Sequence, residues 1–142
     1  MSPHDAGLLD TSTLLLLPRL DAERDLPRTP LISAVTLAEL AVGPLVATKV
    51  AERASRIAQV QQAEADFQPI PFDVAAARAF GPVAADLRAS GRKTTARAFD
   101  AMIAAIAVTN GLPLYTCNAS DFAGIGGLEV VAVAHPDRHP RR

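Results

Sequence analysis

The stretch GLLDTSTLLLL, residues 7–17, joins a short apolar run to a carboxylate and then to a leucine-rich segment. A short apolar run that ends at Asp10 is typical of a strand buried in a parallel sheet. Thr11 to Leu17 carries capping residues and leucines, which predicts a helix immediately after the strand. Open α/β sheets place their sites beyond the carboxyl ends of strands, so Asp10 is a candidate ligand. An N-cap role for Asp10 explains the same residue equally well.

The remaining chain alternates short apolar segments with helical ones. Further strands are predicted at 31–33, 68–72, 113–116 and 128–133, and residues 21–30 are predicted to be a loop. Helices are predicted around Glu39 with an end at Gly43-Pro44, over 47–66, over 74–89, and from about Thr95 to Asn110. This alternation predicts an α/β fold with a central, mostly parallel sheet.

The predicted helix over 47–66 is amphipathic. Its apolar side is expected to carry Val50, Ala54, Ile57, Ala58 and Gln61. The helix over 74–89 is expected to start from an N-cap at Asp73.

The length of 142 residues suits one domain with a real core. The composition is 49% hydrophobic and only 4% aromatic, so the core is expected to consist mainly of Ala, Leu, Val and Ile. We expect one domain over residues 1–134 and a flexible basic tail over 135–142. A single cysteine excludes an internal disulfide and favours the cytoplasm. Neither a secretory signal nor a membrane span is expected.

The formal net charge of -1 does not by itself favour a nucleic-acid partner. Four acids stand in apolar or turn surroundings, however, and these are Asp10, Glu39, Asp100 and Asp121. If a cation neutralised them, 11 acids would face 14 basic residues, a balance of +3.

Each of these acids has an ordinary explanation when it is considered alone. Glu39 would be a solvated helix residue and Asp121 a turn cap. Asp100 is harder to explain, because Phe99 to Val108 is otherwise almost entirely apolar. An unpaired buried charge is costly, so a metal or a cationic partner such as Arg97 is expected beside it.

Several converging carboxylates would suit a hard divalent cation, which prefers oxygen ligands. Mg²⁺ or Mn²⁺ in such a site activates a water and stabilises charge on a phosphate under attack. The sequence contains no G-x-S-x-G elbow, no Walker loop and no zinc-type spacing of histidines or cysteines. The three histidines lie near the termini, and Cys117 is expected to be a small buried residue rather than a nucleophile.

Four motifs in order resemble the PIN-domain family, and within it the VapC-type toxins of bacterial toxin–antitoxin pairs. The matching stretches are Leu8-Leu9-Asp10-Thr11-Ser12, Ser33-x-x-Thr36-x-Ala38-Glu39-Leu40, Phe99-Asp100-x-x-Ile103-Ala104-Ala105 and Thr116-x-Asn118-x-x-Asp121-Phe122. Each motif alone is weak, but their order and spacing fit the family over essentially the whole chain.

This resemblance implies a three-layer α/β/α sandwich and a metal-dependent endoribonuclease that uses Mg²⁺ or Mn²⁺. Asp10, Glu39 and Asp100 match the core metal-binding acids of the family, and Asp121 matches a more variable fourth position. Asn118 lies near that fourth position and is expected to share its role with Asp121.

The resemblance also bears on hydroxyls, partners and basic residues. Ser12 and Thr116 fall where the family has hydroxyls near the site, although capping or strand-end hydrogen bonding explains them as well. The implied partners are an RNA substrate, a VapB-type antitoxin that fills the acidic cleft, and a second copy in a homodimer. Basic residues that flank Asp100 are candidates for the RNA backbone or for a solvated face: Arg88, Arg92, Lys93 and Arg97.

Two other functions fit the same residues. One is a housekeeping RNA-processing nuclease, and the other is a binding module whose acidic cleft holds a basic peptide. A short upstream gene for a small DNA-binding protein would favour the toxin, whereas an absence of Mn²⁺ binding would favour the peptide-binding module.

Overall fold

A computed structural model describes residues 4–92 and 97–138. Its centre is a four-stranded, all-parallel sheet with the strand order β2-β1-β3-β4. The strands are β1 (Ala6–Leu9), β2 (Thr29–Leu31), β3 (Leu114–Thr116) and β4 (Val130–Ala132). The predicted α/β class and parallel sheet are confirmed.

Six α-helices surround this sheet in the described part of the chain. They are α1 (Thr11–Leu15), α2 (Ala22–Asp25), α3 (Ala34–Val46), α4 (Val50–Asp66), α5 (Val74–Ala89) and α6 (Ala98–Thr109). Short 3-10 turns cover Leu17–Arg19 and Ala119–Phe122.

The sheet lies between two apolar clusters because successive strand residues point to opposite faces. Leu8 and Leu114 pack with α5 and α6 on one face. Leu9 and Tyr115 pack with α1, α3 and α4 on the other face. The molecule is therefore the expected three-layer α/β/α sandwich.

Close packing in β1 explains the glycine at its centre. A Cβ on Gly7 would lie 2.6 Å from Cε1 of the Tyr115 ring, which is shorter than any real Cβ contact. Since Tyr115 is 1% exposed, its ring has little room to move away. A larger residue at position 7 would therefore disturb the pairing of β1 with β3.

Side-chain caps fix the start of α1, α3 and α5. Asp10 accepts from the backbone N–H of Thr13, Ser33 from that of Thr36, and Asp73 from that of Ala76. The last of these caps was predicted, and α5 has the predicted bounds of Val74–Ala89. Gly111, with φ +64°, follows the end of α6, where a glycine commonly adopts the left-handed conformation.

Two predictions about helices are wrong, one on where α3 ends and one on the loop over 21–30. The helix that carries Glu39 does not end at Gly43-Pro44 but continues to Val46, with Pro44 inside its last turn. A proline so close to the end removes one backbone donor without breaking the helix, and the Gly43 carbonyl accepts from Arg56 Nη1 at 2.9 Å. The predicted loop over 21–30 contains α2, because Asp21 caps the N–H groups of Glu23 and Arg24.

The apolar side predicted for the fourth helix is also wrong. All five of the residues expected there are exposed, and they are Val50, Ala54, Ile57, Ala58 and Gln61. The helix instead packs through Val60, Ala63 and the following Phe67. The helix α4 packs mainly against α3 rather than against the sheet, so only a narrow strip of its surface is buried.

Two strand predictions differ most from the structure, whereas β3 and β4 lie within the predicted ranges 113–116 and 128–133 and are shorter. Residues 31–33 were expected to form the second strand, but pairing occurs two residues earlier and Ser33 caps α3 instead. The strand expected over 68–72 is reduced to a single bridge between Ile70 and Ser33. Its flanking prolines limit further pairing, since proline has no N–H to donate.

Two predictions fall partly outside the described residues. One is the helix predicted to begin at about Thr95. The other is the flexible tail, of which residues 139–142 lie outside the described part. Within the described part of the tail, Asp137 pairs with Arg19. No helix among residues 4–92 and 97–138 is both long and apolar enough to cross a membrane.

Candidate active site

The carboxyl edge of the sheet collects the four acids singled out in the sequence. Asp10 follows β1, and Asp121 lies in the 3-10 turn shortly after β3. Glu39 projects from α3 and Asp100 from the first turn of α6. Parallel strands end at the same edge of a sheet, so the topology itself brings these distant positions together.

Asp10 is almost completely buried, with 4% of its surface exposed. Its carboxylate accepts a hydrogen bond of 2.7 Å from Thr116 Oγ1 and one of 3.1 Å from the Thr13 N–H. The Ser12 hydroxyl lies 3.4 Å from both carboxylate oxygens. Asp10 therefore caps a helix, so its N-cap interpretation is confirmed, and its role as a ligand remains a prediction.

The remaining auxiliary residue, Asn118, supports the hydroxyls that contact Asp10. Its backbone N–H donates to Thr116 Oγ1 at 2.9 Å, and its Nδ2 donates to Ser12 Oγ at 3.1 Å. The three auxiliary residues predicted from the sequence are thus brought together around one carboxylate. The role shared between Asn118 and Asp121 remains a prediction.

Glu39 is held by a chain of hydroxyls that sequence reasoning missed. Thr11 Oγ1 donates to Glu39 Oε1 at 2.6 Å and lies 3.0 Å from Thr36 Oγ1. Thr11 has a single hydroxyl proton, so the Thr36 hydroxyl donates to Thr11. Ser33 Oγ follows at 3.5 Å from Thr36 Oγ1, and both of these residues are fully buried. The available signal was a threonine one helical turn before the acid, on the same face of α3.

Asp100 and Asp121 have a different kind of partner. Arg97 Nη1 lies 3.1 Å from Asp121 Oδ2 and 3.5 Å from Asp100 Oδ2. Phe122, 1% exposed, anchors the turn that carries Asp121, and the fully buried Ala101 anchors the first turn of α6. The cationic partner expected for Asp100 is therefore present. Whether Arg97 also contacts RNA remains a prediction.

Two sides of the cleft can now be defined. The hydroxyl side consists of two acids with neutral donors: Asp10, Glu39, Thr11, Thr36 and Thr116. The arginine side consists of Asp100, Asp121 and Arg97.

The charges of the two sides act on each other. Burial, together with the charges of Asp10, Glu39 and Asp121, raises the pKa of the Asp100 carboxyl to about 6. The Arg97 guanidinium opposes this change. The single positive charge of Arg97 therefore does not offset the combined effect of burial and of the three neighbouring carboxylates on Asp100.

The other basic candidates are placed differently. The Arg92 guanidinium donates to the carbonyls of Ser120 and Ala123, on either side of Asp121. It thus holds the turn that carries this acid. Arg88 is exposed near the end of α5, and Lys93 lies outside the described residues. RNA contacts by these residues remain predictions.

Cys117 is buried beside the site, as expected from the sequence. Burial raises the pKa of its thiol, and its backbone N–H donates to Thr13 Oγ1 at 3.1 Å. A buried thiol with a raised pKa is a poor nucleophile.

The donor set suits a hard divalent cation, since carboxylates and hydroxyls line the cleft and a guanidinium already stands against two of the acids. Among the described residues, no three His, Cys, Asp or Glu side chains lie close enough together to hold one metal ion. The donors therefore fit such an ion in chemistry, although in this arrangement they do not converge on one ion.

Comparisons with known proteins identify the family of this chain. A family model for the PIN domain matches residues 8–128. Ribonuclease VapC5 of Mycobacterium tuberculosis is 37% identical over 131 residues, which cover 90% of this chain and 93% of the relative. Ribonuclease VapC1 of Rickettsia felis is 31% identical over 106 residues, which cover 75% of this chain and 78% of the relative.

A solved structure is similar over nearly the whole fold. It is a crystal structure of a member of the VapBC family of toxin–antitoxin systems, VapBC-5, from Mycobacterium tuberculosis. The matched chain is 36% identical with a TM-score of 0.78, and the match covers 91% of this chain and 99% of that one. The present chain therefore belongs to the PIN-domain family and, within it, to the VapC group.

Proposed function

We propose that this protein is an endoribonuclease toxin that depends on Mg²⁺ or Mn²⁺ and is neutralised by a VapB-type antitoxin. The observation that carries the proposal is the gathering of four acids at the carboxyl edge of the sheet, two held by neutral donors and two by one arginine. Relatives named as ribonucleases support the assignment of RNA as the substrate.

The proposed ligands of the cation are Asp10, Glu39 and Asp100, with Asp121 as a fourth. The bound ion would supply an activated water and stabilise negative charge on the phosphate. In this proposal the acids hold metal and do not attack the substrate themselves. The buried thiol of Cys117 offers no alternative nucleophile.

The hydroxyl side would orient two of the ligands through neutral donors. Thr116 and the Thr13 N–H donate to Asp10, while Thr11 donates to Glu39. These donors are neutral, so they orient the two carboxylates without supplying a positive charge that a cation would have to displace.

The proposal is tested by comparing purified Asp10→Asn with the unaltered protein on a cellular RNA pool with Mn²⁺. We expect cleavage to fall to the background rate, because Asn removes a charge and replaces an acceptor oxygen with a donor. Asp73→Asn is a matched control, since Asp73 also caps a helix, α5, but is not one of the four acids. Full activity in Asp10→Asn would refute the metal mechanism.

Expression in cells would separate a toxin from a housekeeping nuclease. A toxin should arrest growth when it is expressed alone, and Asp10→Asn should not. Mapping the RNA ends that differ between the two cultures would identify the cleavage site.

For the antitoxin, we propose an apolar groove between α1, α3 and α4. Its volume is about 520 Å³, and it is lined in part by Leu14, Leu15, Leu40 and Phe67. The helices α1 and α3 line the groove and also carry residues of the hydroxyl side. A segment of the antitoxin bound in the groove would therefore extend towards the acids. The similar Mycobacterium tuberculosis structure belongs to a toxin–antitoxin system, which supports a partner of this kind.

Leu15→Glu tests the groove, because Leu15 is 43% exposed and a charge there would be buried by a bound apolar segment. We expect RNA cleavage to be kept and inhibition by the coexpressed antitoxin to be weakened. Val74→Glu is the control, since Val74 is 65% exposed at the start of α5 and does not line the groove. Equal inhibition of both variants would exclude the groove. Light scattering on the purified protein would test the proposed homodimer.

A further inference from the structure

Arg97 is the one cation of the described residues that contacts two of the four acids. Its Nη1 lies 3.1 Å from Asp121 Oδ2 and 3.5 Å from Asp100 Oδ2. All three side chains are partly exposed, at 39% for Arg97, 28% for Asp100 and 27% for Asp121. A guanidinium in this position takes up carboxylate oxygens that an incoming metal ion would need.

Two described elements bring Arg97 and the acids together. Arg97 directly precedes α6, three residues before Asp100, and its backbone carbonyl accepts from the Ala101 N–H at 2.9 Å. Asp121 approaches from the turn that Arg92 and Phe122 hold in place. The arginine therefore bridges two separate elements of the cleft.

The hydroxyl side is held without such a bridge. Asp10 and Glu39 accept from hydroxyls and a backbone N–H, which bind a carboxylate without cancelling its charge. Of the two sides, the arginine side would thus have to give up a positive charge when a cation enters.

We propose that Arg97 is an internal counter-cation that holds Asp100 and Asp121 in the metal-free protein, and that a divalent ion engages these two acids only by displacing its guanidinium. This inference rests on the proposed metal site, and it assigns Arg97 a positioning role. It predicts competition between the guanidinium and the ion for the same oxygen atoms, so removal of one must strengthen the binding of the other.

The test is calorimetric titration of Mn²⁺ into purified Arg97→Gln and into the unaltered protein, without RNA. We expect Arg97→Gln to bind Mn²⁺ about fivefold more tightly, which is the lower end of ordinary coupling between two ligands. Arg97→Lys should lie between the two, because an ammonium keeps the charge but lacks the planar fork. An unchanged or weakened affinity in Arg97→Gln would overturn the proposal.

Arg88→Gln is the control for a general effect of losing one positive charge on Mn²⁺ binding. Arg88 is exposed and has the same charge, but it is not paired with either acid in the described structure. We expect its Mn²⁺ affinity to match that of the unaltered protein. An equal gain in Arg88→Gln and Arg97→Gln would overturn the proposal in favour of long-range electrostatics.

A double-mutant cycle then locates the competition. In an Asp121→Asn background, Arg97→Gln should improve Mn²⁺ binding by a smaller factor, because one of the contested acids is already gone. The same factor in both backgrounds would show that Arg97 does not act through Asp121.

These measurements are independent of the nuclease proposal. Tighter Mn²⁺ binding by Arg97→Gln supports the counter-cation even if no RNA is cut. Loss of cleavage in Asp10→Asn supports the nuclease even if Arg97 proves irrelevant to metal binding.

Discussion

The two sides of the cleft hold their carboxylates by different physical means. On the hydroxyl side, neutral donors fix Asp10 and Glu39, and Asp10 is 4% exposed. On the arginine side, Asp100 and Asp121 are more than a quarter exposed and share one guanidinium.

The difference separates orientation from charge. Hydroxyls orient a carboxylate without cancelling its charge, so the hydroxyl side can receive a cation without losing its own contacts. An arginine both orients and neutralises, so the arginine side must rearrange. We infer that the hydroxyl side is the preorganised half of the proposed metal site and that the arginine side is its adjustable half.

The largest effect is expected from Thr116→Val, which removes the buried donor to Asp10 while keeping the shape of the side chain. RNA cleavage should fall about 10–100-fold, the range typical of lost contacts behind a metal ligand. Stability should fall by about 1–3 kcal/mol, because a buried acceptor loses its partner. Initial cleavage rates and urea unfolding measure the two effects.

Thr116→Ser is the matched control, since it keeps the hydroxyl that donates to Asp10 and accepts from the Asn118 N–H. It should retain most of the activity. If both variants lose activity equally, the methyl group matters more than the hydrogen bond, and the hydroxyl side has no special role.

A smaller loss is expected from Thr11→Val, because Glu39 is only partly buried and can recruit water in place of the hydroxyl. The cleavage rate should fall by about tenfold, and Mn²⁺ affinity should weaken in parallel. Thr11→Ser should restore both. A loss of cleavage with unchanged Mn²⁺ affinity would contradict the positioning of a metal ligand.

Much of the site could be predicted from the sequence because it depends on local chemistry. Asp10 follows an apolar run, and Asp100 interrupts an apolar helix; each is conspicuous from its neighbours alone. The order of the four motifs resembles the PIN-domain family, and this resemblance grouped Glu39 and Asp121 with Asp10 and Asp100.

The partners of these acids could not be predicted, because they depend on contacts between distant segments. Thr11 and Thr36 are 25 positions apart, and nothing in either local sequence indicates that their hydroxyls meet. The same limit explains the error on α4, whose packing side is set by α3 rather than by its own apolar pattern. Arg97 was anticipated as a partner of Asp100, three residues away, whereas its contact with Asp121 needed the fold.

The two sides of the cleft should also differ in how their acids affect the pH dependence of stability in the metal-free protein. The pKa of Asp100 is raised to about 6, above the value of about 3.9 expected in the unfolded chain. Between these values the folded state binds more protons than the unfolded state, so ionisation of Asp100 lowers stability as pH rises from about 4 to 6. Asp100→Asn should therefore match the unaltered protein below pH 4 and be more stable at pH 7.5. Each kcal/mol gained should raise the melting temperature by about 2–4 °C.

Asp10→Asn should behave in the opposite way, although both substitutions remove one negative charge from the same cleft. Its amide presents a donor to the Thr116 hydroxyl or the Thr13 N–H, which both donate to the native carboxylate. We expect a lower melting temperature at pH 7.5, measured in EDTA beside Asp100→Asn. A rise in both variants would mean that charge repulsion governs the whole cleft, and the distinction between a preorganised and an adjustable half would fail. A lower melting temperature in Asp10→Asn alone would show that the hydrogen bonds of Asp10 contribute more to stability than the repulsion between the acids takes away.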